Sequence, residues 1–210
     1  MAIMGSKPAS SVSADGVAGL TYDRDAIQRA VRQIIEAMGE DPEREGLVDT
    51  PRRIAEMFGE IFSGIHQDPL TLLAVGFEAV QQHEMVILKD IPFYSMCEHH
   101  FLPFHGIVHV GYIPSDRIVG ISKIARVVEV LARRPQLQER LTQQLVDMLM
   151  QGLNADGAAV VVEAEHLCMT MRGVKKPGSK IVTSGTRGIF RTDPRTRAEF
   201  LSLLQEARHG

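Results

Sequence analysis

The segment GAAVVVEAEHLCMTMRG, residues 157–173, combines strand-forming side chains with a histidine and a cysteine near its end. Valine and alanine at alternate positions are typical of a β-strand, in which every second side chain lies on the same face. The face predicted in this way consists of Val160, Val162, Ala164, His166, Cys168 and Thr170. It is apolar at one end and carries two metal-binding groups at the other. We therefore expect a core strand that leads into a functional site.

Three further segments predict strands, because they are rich in Val, Ile and Thr and have Gly at the turns. They are EMVILKDI (84–91), FHGIVHVGYI (104–113) and SKIVTSGTRGIF (179–190). Two helices are expected between the second and third strands of the chain, one capped by Ser122 and one beginning at Pro135. A strand pair, a helix pair and a second strand pair indicate an α+β fold, with an antiparallel four-stranded sheet and two helices on one face.

The chain before the sheet divides into a tail and a helical segment. Residues 1–22 are mostly small and polar, which favours a disordered tail. Residues 23–64 predict two helices, the second with Thr50 as its N-cap and Pro51 at its first helical position. Their expected buried faces are Ile27, Val31, Ile34, Ile35 and Met38, then Ile54, Met57, Phe58, Ile61 and Phe62. Residues 65–210 form the predicted main domain, which closes with a helix at DPRTRAEFLSLLQEA (193–207).

Composition argues against several classes of partner. The 210 residues include 23 basic and 26 acidic side chains, so no global charge attracts the chain to nucleic acid or to a membrane surface. No apolar run approaches the roughly 20 residues of a spanning helix, and the N-terminus lacks a signal-peptide pattern. Two cysteines in a chain of this length indicate a reducing compartment. We expect a cytoplasmic protein.

The segment MCEHHF, residues 96–101, supplies the second half of a possible metal site. Cys97 and His100 have the spacing C-x2-H, which lets one tight turn direct both side chains toward a single ion. With Cys168 they would form a Cys2His site whose fourth position is open, as is typical of catalytic rather than structural zinc. Thiolate and imidazole ligands favour zinc over magnesium or calcium.

Other interpretations of these residues stay open at this point. Buried free cysteines are common as small apolar groups, and histidines on apolar faces are usually core residues with a hydrogen-bond partner. A Cys97–Cys168 disulfide is also conceivable, although a reducing compartment disfavours it. His99 and His166 favour the metal site, because each neighbours a proposed ligand without being needed as one. Proton-transfer groups are expected at such positions.

Anion-binding candidates lie elsewhere in the chain. Ser122, Lys123 and Arg126 occupy the first turns of a predicted helix, where free backbone N–H groups favour phosphate; a capping serine with solvated charges is the alternative. GVKKPGSK (173–180) resembles a phosphate loop, but its Lys–Ser order is reversed and a strand follows it, so we reject that interpretation. Glu139 is either a surface acid at a helix start or an acceptor for two N–H groups of a purine edge.

Three segments together closely resemble type I GTP cyclohydrolase. They are MCEHHFLPFHGIVHVGYIP, VGISKIARVVEVLARRPQLQERLTQQL and EAEHLCMTMRGV, and the similarity extends from about residue 23 to the C-terminus. The resemblance implies a tunnelling fold, with sheets of five subunits joined into a barrel and two barrels stacked into a homodecamer with active sites at subunit interfaces. It also implies conversion of GTP and water into 7,8-dihydroneopterin triphosphate and formate, the first step toward tetrahydrofolate or biopterin.

The resemblance also implies a role for each candidate residue. Cys97, His100 and Cys168 would hold Zn²⁺, His99 would assist at the purine imidazole ring, and His166 would assist at the ribose. Glu139 and the backbone of Gln138 would hold the guanine edge. Ribose and triphosphate would contact Ser122, Lys123, Arg126 and Arg172, with Arg53 contributed by a neighbouring subunit.

Two rival functions predict different features. A zinc nucleoside deaminase would need H-x-E together with P-C-x-x-C, and neither pattern occurs in the sequence. A non-catalytic pterin- or nucleotide-binding protein with a structural zinc would need a fourth protein ligand, for which His99 and His166 are the candidates.

Overall fold

The computed structural model describes residues 22–74, 76–78, 84–115 and 117–206. All of the predicted tail except Tyr22 lies outside the described residues. The elements in chain order are α1 Arg24–Ala37, α2 Thr50–Ile61, α3 Leu70–Leu73, β1 Gly76–Glu78, β2 Val86–Cys97, β3 Pro103–Ile113, β4 Arg117–Val119, α4 Ile121–Ala132, β5 Pro135–Gln136, α5 Gln138–Leu153, β6 Gly157–His166, α6 Leu167–Thr170, β7 Ile181–Gly188, α7 Ile189–Thr192 and α8 Pro194–Glu206. Within these residues, no helix combines the length and the apolar character needed to cross a bilayer.

The two N-terminal helices form as expected, but their apolar faces are only partly buried. The carboxylate of Asp23 caps α1 by accepting a hydrogen bond from the backbone N–H of Ala26 at 2.8 Å. Asp49, and not Thr50, is the N-cap residue of α2. The expectation that Ile34, Met38 and Met57 are buried is wrong, since they are 56%, 70% and 43% exposed. The two helices pack against each other along one stripe and leave these side chains outside it.

The main sheet has five strands in the order β5-β2-β3-β6-β7. β2, β3, β6 and β7 pair antiparallel, as expected, while β5 pairs parallel with the end of β2. The predicted count of four strands is therefore too low by one. Pro135 does not begin a helix because Gln136 is held in extended conformation. Its buried side-chain amide donates hydrogen bonds to the Leu131 carbonyl and to Gln144.

Helices cover both faces of the sheet, although only one covered face was predicted. The main core lies between the sheet and the helices α4 and α5; its fully buried side chains include Val108, Val160, Ile124, Leu141 and Leu145. A smaller cluster on the opposite face joins Ala159 of β6 to Phe190 and Phe200 in the C-terminal helical segment. The C-terminal helices therefore cover part of the second face.

A β-bulge in β2 decides which face its last residues reach. Leu88 pairs with Val110 and Ile91 with Val108, so β2 contains one residue more than β3 at this point. The extra position includes Asp90, whose φ of 57° is left-handed and whose N–H donates to His109 Nδ1 at 3.1 Å. Before the bulge, even-numbered residues such as Leu88 contact the main core, and after it odd-numbered residues do. Cys97 thereby lies on the core face.

Candidate functional site

Three potential metal ligands converge at the ends of β2 and β6. One ligand atom from each of Cys97, His100 and Cys168 lies within 4.8 Å of the other two. The Cys97 Sγ to His100 Nδ1 distance is 3.7 Å. Both cysteines are free thiols in the structure. The structure therefore brings together the three residues that C-x2-H spacing and one distant cysteine singled out.

A tight turn places the first two ligands. Cys97 is the last residue of β2, and its carbonyl accepts hydrogen bonds from the N–H groups of His100 at 3.3 Å and Phe101 at 2.8 Å. Phe101 closes the turn with a left-handed φ of 51°, an uncommon conformation for a bulky residue. Its ring lies 5.5 Å from that of Phe62 and 6.4 Å from that of Phe58, between ring centroids. The turn is thus anchored to α2.

Cys168 reaches the site by a route that strand periodicity did not predict. β6 ends at His166, and Leu167–Thr170 forms the helical turn α6. The expectation that Cys168 and Thr170 continue the alternation of a strand is therefore wrong. Burial raises the pKa of the Cys168 thiol, the neighbouring Cys97 raises it further, and the positive charge of Arg172 opposes both effects.

The donor set fits zinc. Zn–S and Zn–N bonds of about 2.3 Å and 2.0 Å in a tetrahedron place sulfur and nitrogen ligands about 3.5 Å apart. The observed 3.7 Å between Cys97 Sγ and His100 Nδ1 is close to that separation. Neither His99 nor His166 belongs to the group of mutually close ligand atoms that the described residues form. The described residues of one chain therefore offer three mutually close ligands, one fewer than a closed tetrahedral site needs.

His166 is held on two sides. Its ring stacks on Phe104 with 4.5 Å between centroids and 7° between planes. Its Nε2 lies 2.8 Å from Gln138 Oε1. Burial lowers the pKa of the His166 imidazole, and the nearby charge of Glu139 acts in the opposite direction. The sequence analysis did not identify Phe104 as a site residue. Its position two residues before Gly106, on a strand with alternating apolar residues, could have indicated that its side chain lies on the core face.

Further candidate residues surround the metal group. Glu139 follows Gln138 at the start of α5, and its charge acts on His166. Arg172 is close enough to influence Cys168. Arg140 forms a two-pronged ion pair with Glu98, which lies between Cys97 and His99, and this pair ties the turn to α5. The His99 ring is perpendicular to that of His100, 6.2 Å away between centroids.

Two of the predicted phosphate-binding residues, Ser122 and Lys123, lie at the end of α4 that is distant from this group. Gly120 is the N-cap residue of α4, so Ser122 stands in the first turn and does not cap the helix as expected. The far end of α4 is the one near the metal group, because the Ala132 carbonyl accepts a hydrogen bond from Ser95 of β2 at 2.7 Å. Ala132 follows Ser122 by ten positions along the helix, a rise of about 15 Å. Lys123 shares the distant end of α4.

The structure also gives the surroundings of two arginines expected at the triphosphate. Arg126 lines a cavity of about 270 Å³ together with Ser63, Gln67 and Arg133. Arg53 is exposed on α2, with its guanidinium 3.3 Å from the carboxylate of Asp49.

Comparison with known proteins gives consistent matches over most of the chain. A family model described as GTP cyclohydrolase I matches residues 27–205. A protein named GTP cyclohydrolase 1 from Dehalococcoides mccartyi is 61% identical over 186 residues, covering 88% of this chain and 98% of that protein. One of the same name from Caldanaerobacter subterraneus is 58% identical over 187 residues, covering 89% and 99%. Another, from Clostridioides difficile, is 57% identical over 183 residues, covering 87% and 96%.

Proposed function

The chain belongs to the GTP cyclohydrolase I family, and we propose that it converts GTP and water into 7,8-dihydroneopterin triphosphate and formate. This reaction is the entry step to tetrahydrofolate or biopterin. The observation that carries the proposal is the convergence of Cys97, His100 and Cys168 within 4.8 Å, beside imidazoles that are not part of the group. Hydrolysis of a purine ring needs activated water and proton donors in one place, and these residues can provide both.

We propose that the metal is zinc, held by Cys97, His100 and Cys168. A zinc ion with an open coordination position supplies water that is acidic near neutral pH and so becomes a nucleophile. The two sulfurs and one nitrogen are the donors that zinc prefers. Arg172 lies close enough to favour the thiolate form of Cys168, which is the form that binds metal.

The proposed roles of the other side chains follow from their chemistry. His99 would protonate N7 of guanine, which makes C8 electrophilic before it leaves as formate. His166 would donate a proton to the ribose ring oxygen, so that the sugar opens and the freed amine can close the pterin ring. Both steps suit imidazole, whose charge changes near neutral pH. Glu139, with the backbone of Gln138, would accept hydrogen bonds from the guanine edge and orient the ring.

We propose that the triphosphate is bound by a second copy of the chain. From that copy, Ser122, Lys123 and Arg126 would contact ribose and triphosphate. Arg172 would contribute from the chain that holds the metal group, where it lies near Cys168, and Arg53 would reach in from a neighbouring subunit. Support comes from the rise of about 15 Å between Ser122 and the end of α4 that lies near the metal group. The triphosphate is unchanged by the reaction, so its binding energy can hold the guanine against the metal.

We also propose the tunnelling fold and a homodecamer. In the described part of the chain, β7 pairs on one side only, and β2 pairs with β5 only at Met96 and Cys97. Such edges can join sheets of neighbouring subunits into a closed barrel, which removes exposed strand edges. Residues 23–64 would form a helical arm and residues 65–210 the catalytic domain. A cytoplasmic location is proposed because thiol ligands stay reduced there.

The test is a GTP assay of the zinc-loaded protein that follows formate release and pterin fluorescence together. Both products are expected, and a strong chelator should abolish both until zinc is restored. Cys168→Ser should bind less zinc and lose activity, whereas Met171→Leu, an exposed and conservative change three residues later, should not. A zinc-replete protein that binds GTP but forms neither product would refute the proposal and favour a non-catalytic nucleotide-binding protein.

A further inference from the structure

The side-chain amide of Gln138 has only one orientation that its surroundings permit. Gln138 is 1% exposed, and its Nε2 lies 3.1 Å from the Val162 carbonyl oxygen and 3.0 Å from that of Ile181. Backbone carbonyls can only accept hydrogen bonds, so the NH2 group must face them. A flipped amide would place its oxygen against two other oxygens in a buried site.

Two threonines support the same orientation. Gln138 Nε2 is also 3.1 Å from Thr183 Oγ1, which lies 2.7 Å from Thr142 Oγ1. The Thr142 hydroxyl donates to the Gln138 carbonyl at 2.8 Å. Thr142 must therefore accept from Thr183, and Thr183 must accept from Gln138. The hydrogen bonds form a closed and directed circuit that starts and ends on Gln138.

The orientation of the Gln138 amide decides which ring nitrogen of neutral His166 carries the hydrogen. Gln138 Oε1 is an acceptor and lies 2.8 Å from His166 Nε2, so Nε2 must carry a hydrogen. We propose that the Gln138 side chain is a positioning residue that holds His166 in the Nε2–H tautomer. In the neutral ring, Nδ1 then carries no hydrogen.

Stacking on Phe104 completes the restraint. The Phe104 ring covers one face of the imidazole, with 4.5 Å between centroids, and Gln138 holds its Nε2 edge. If the imidazole ring rotated by 180° about χ2, the hydrogen bond from Nε2 would be lost and the Gln138 oxygen would lose its His166 donor. Because Glu139 is the next residue of α5, one helix start sets both the His166 tautomer and the position of the carboxylate proposed to hold guanine.

The first test needs no substrate. Nitrogen NMR of the ¹⁵N-histidine-labelled, zinc-loaded protein distinguishes a protonated from an unprotonated ring nitrogen, and the His166 signals are identified by their loss in His166→Asn. We expect a protonated Nε2 and an unprotonated Nδ1 for neutral His166. The reverse tautomer, or a mixture of the two, would overturn the proposal. This outcome is independent of whether the protein turns over GTP.

The second test uses Gln138→Met, with Thr183→Val as the matched control. Both changes remove buried hydrogen bonds, but only the first removes the acceptor for His166. The kinetic role rests on the proposed function, and there we expect Gln138→Met to lower kcat about 10- to 100-fold, with little change in KM for GTP. This is less than most of the roughly 100- to 10,000-fold range for removal of a general acid–base group, because Gln138 acts only through His166. The His166 spectrum should become a tautomer mixture in Gln138→Met alone.

Three outcomes separate the possibilities. Equal losses of kcat in Gln138→Met and Thr183→Val, with an unchanged His166 spectrum, would show that Gln138 has a structural role only. If Gln138→Met does not fold, the spectrum of the unaltered protein still decides the tautomer. If the unaltered protein gives the expected spectrum but no GTP turnover, the proposed function fails while the assignment of the tautomer stands.

Discussion

Replacement of Phe104 by Leu tests whether the stacking of its ring on His166 matters for catalysis. Phe104 is fully buried; its ring stacks on His166 at 4.5 Å and meets the edge of Phe93 at 5.8 Å, between centroids. Aromatic pairs of this kind contribute about 0.5–1.5 kcal/mol each beyond the area they bury, so Phe104→Leu should lose about 1–3 kcal/mol of folding free energy. For a chain of this size, that lowers the melting temperature by roughly 2–12 °C.

The matched control is Phe93→Leu. Phe93 is also buried and contacts the ring of Phe104, but it makes no ring contact with His166. It should lose about 0.5–1.5 kcal/mol, from one aromatic pair. A loosened His166 should lower kcat about 10- to 100-fold in Phe104→Leu only, since small displacements of a reacting group are costly. The measurements are thermal unfolding, bound zinc and steady-state GTP turnover. Equal kcat in the two variants, with zinc retained in both, would refute the reasoning.

Two further predictions concern assembly and the bulge. Cys168→Ser and Lys123→Ala should each be inactive alone. Mixed oligomers from co-expression of the two variants should recover up to about a quarter of the activity, because random assembly leaves that share of the composite sites intact. No recovery would place both halves of the site within one chain. Deletion of Asp90 should shift the end of β2 by one residue, turn Cys97 away from the core and abolish zinc binding. Asp90→Gly, which suits the left-handed φ, should retain zinc; equal zinc content in both variants would contradict this.

Much of the fold can be predicted from local sequence patterns. The prediction errors occur where one local pattern is compatible with two secondary structures. Alternating Val and Ala predicted β6 because a half-buried strand requires that period. Proline is common at the first position of a helix, which is why Pro135 predicts a helix start. In the structure it begins a short strand instead, because the Gln136 side chain has buried hydrogen-bond partners that no local pattern reveals. No periodicity in the segment could reveal those partners.

For the metal group, the sequence predicts the set of ligands that the structure brings together, but it assigns the wrong secondary structure to one of them. Cys168 was assigned to the face of His166 by strand alternation, yet the strand ends at His166 and a helical turn carries the thiol to the group. The choice of ligands depended on residue chemistry and was insensitive to this error. For Ser122 and Lys123, residue chemistry could not reveal which end of α4 points toward the metal group. That information lies in the tertiary contact between Ser95 and Ala132.

The bulge at Asp90 is part of the candidate site even though it lies seven residues before the first ligand. Side chains of a strand alternate between faces, so the face of Cys97 depends on whether the number of residues since Leu88 is odd or even. Without the extra residue, Cys97 would lie on the face opposite Cys168, and the two sulfurs could not share one ion. The sequence alone does not show this change of face, because residues 85–88 are apolar at both odd and even positions. The structure shows it, since Leu88 and Ile91 contact the same core. The metal group therefore depends on the number of residues in this strand as well as on its ligands.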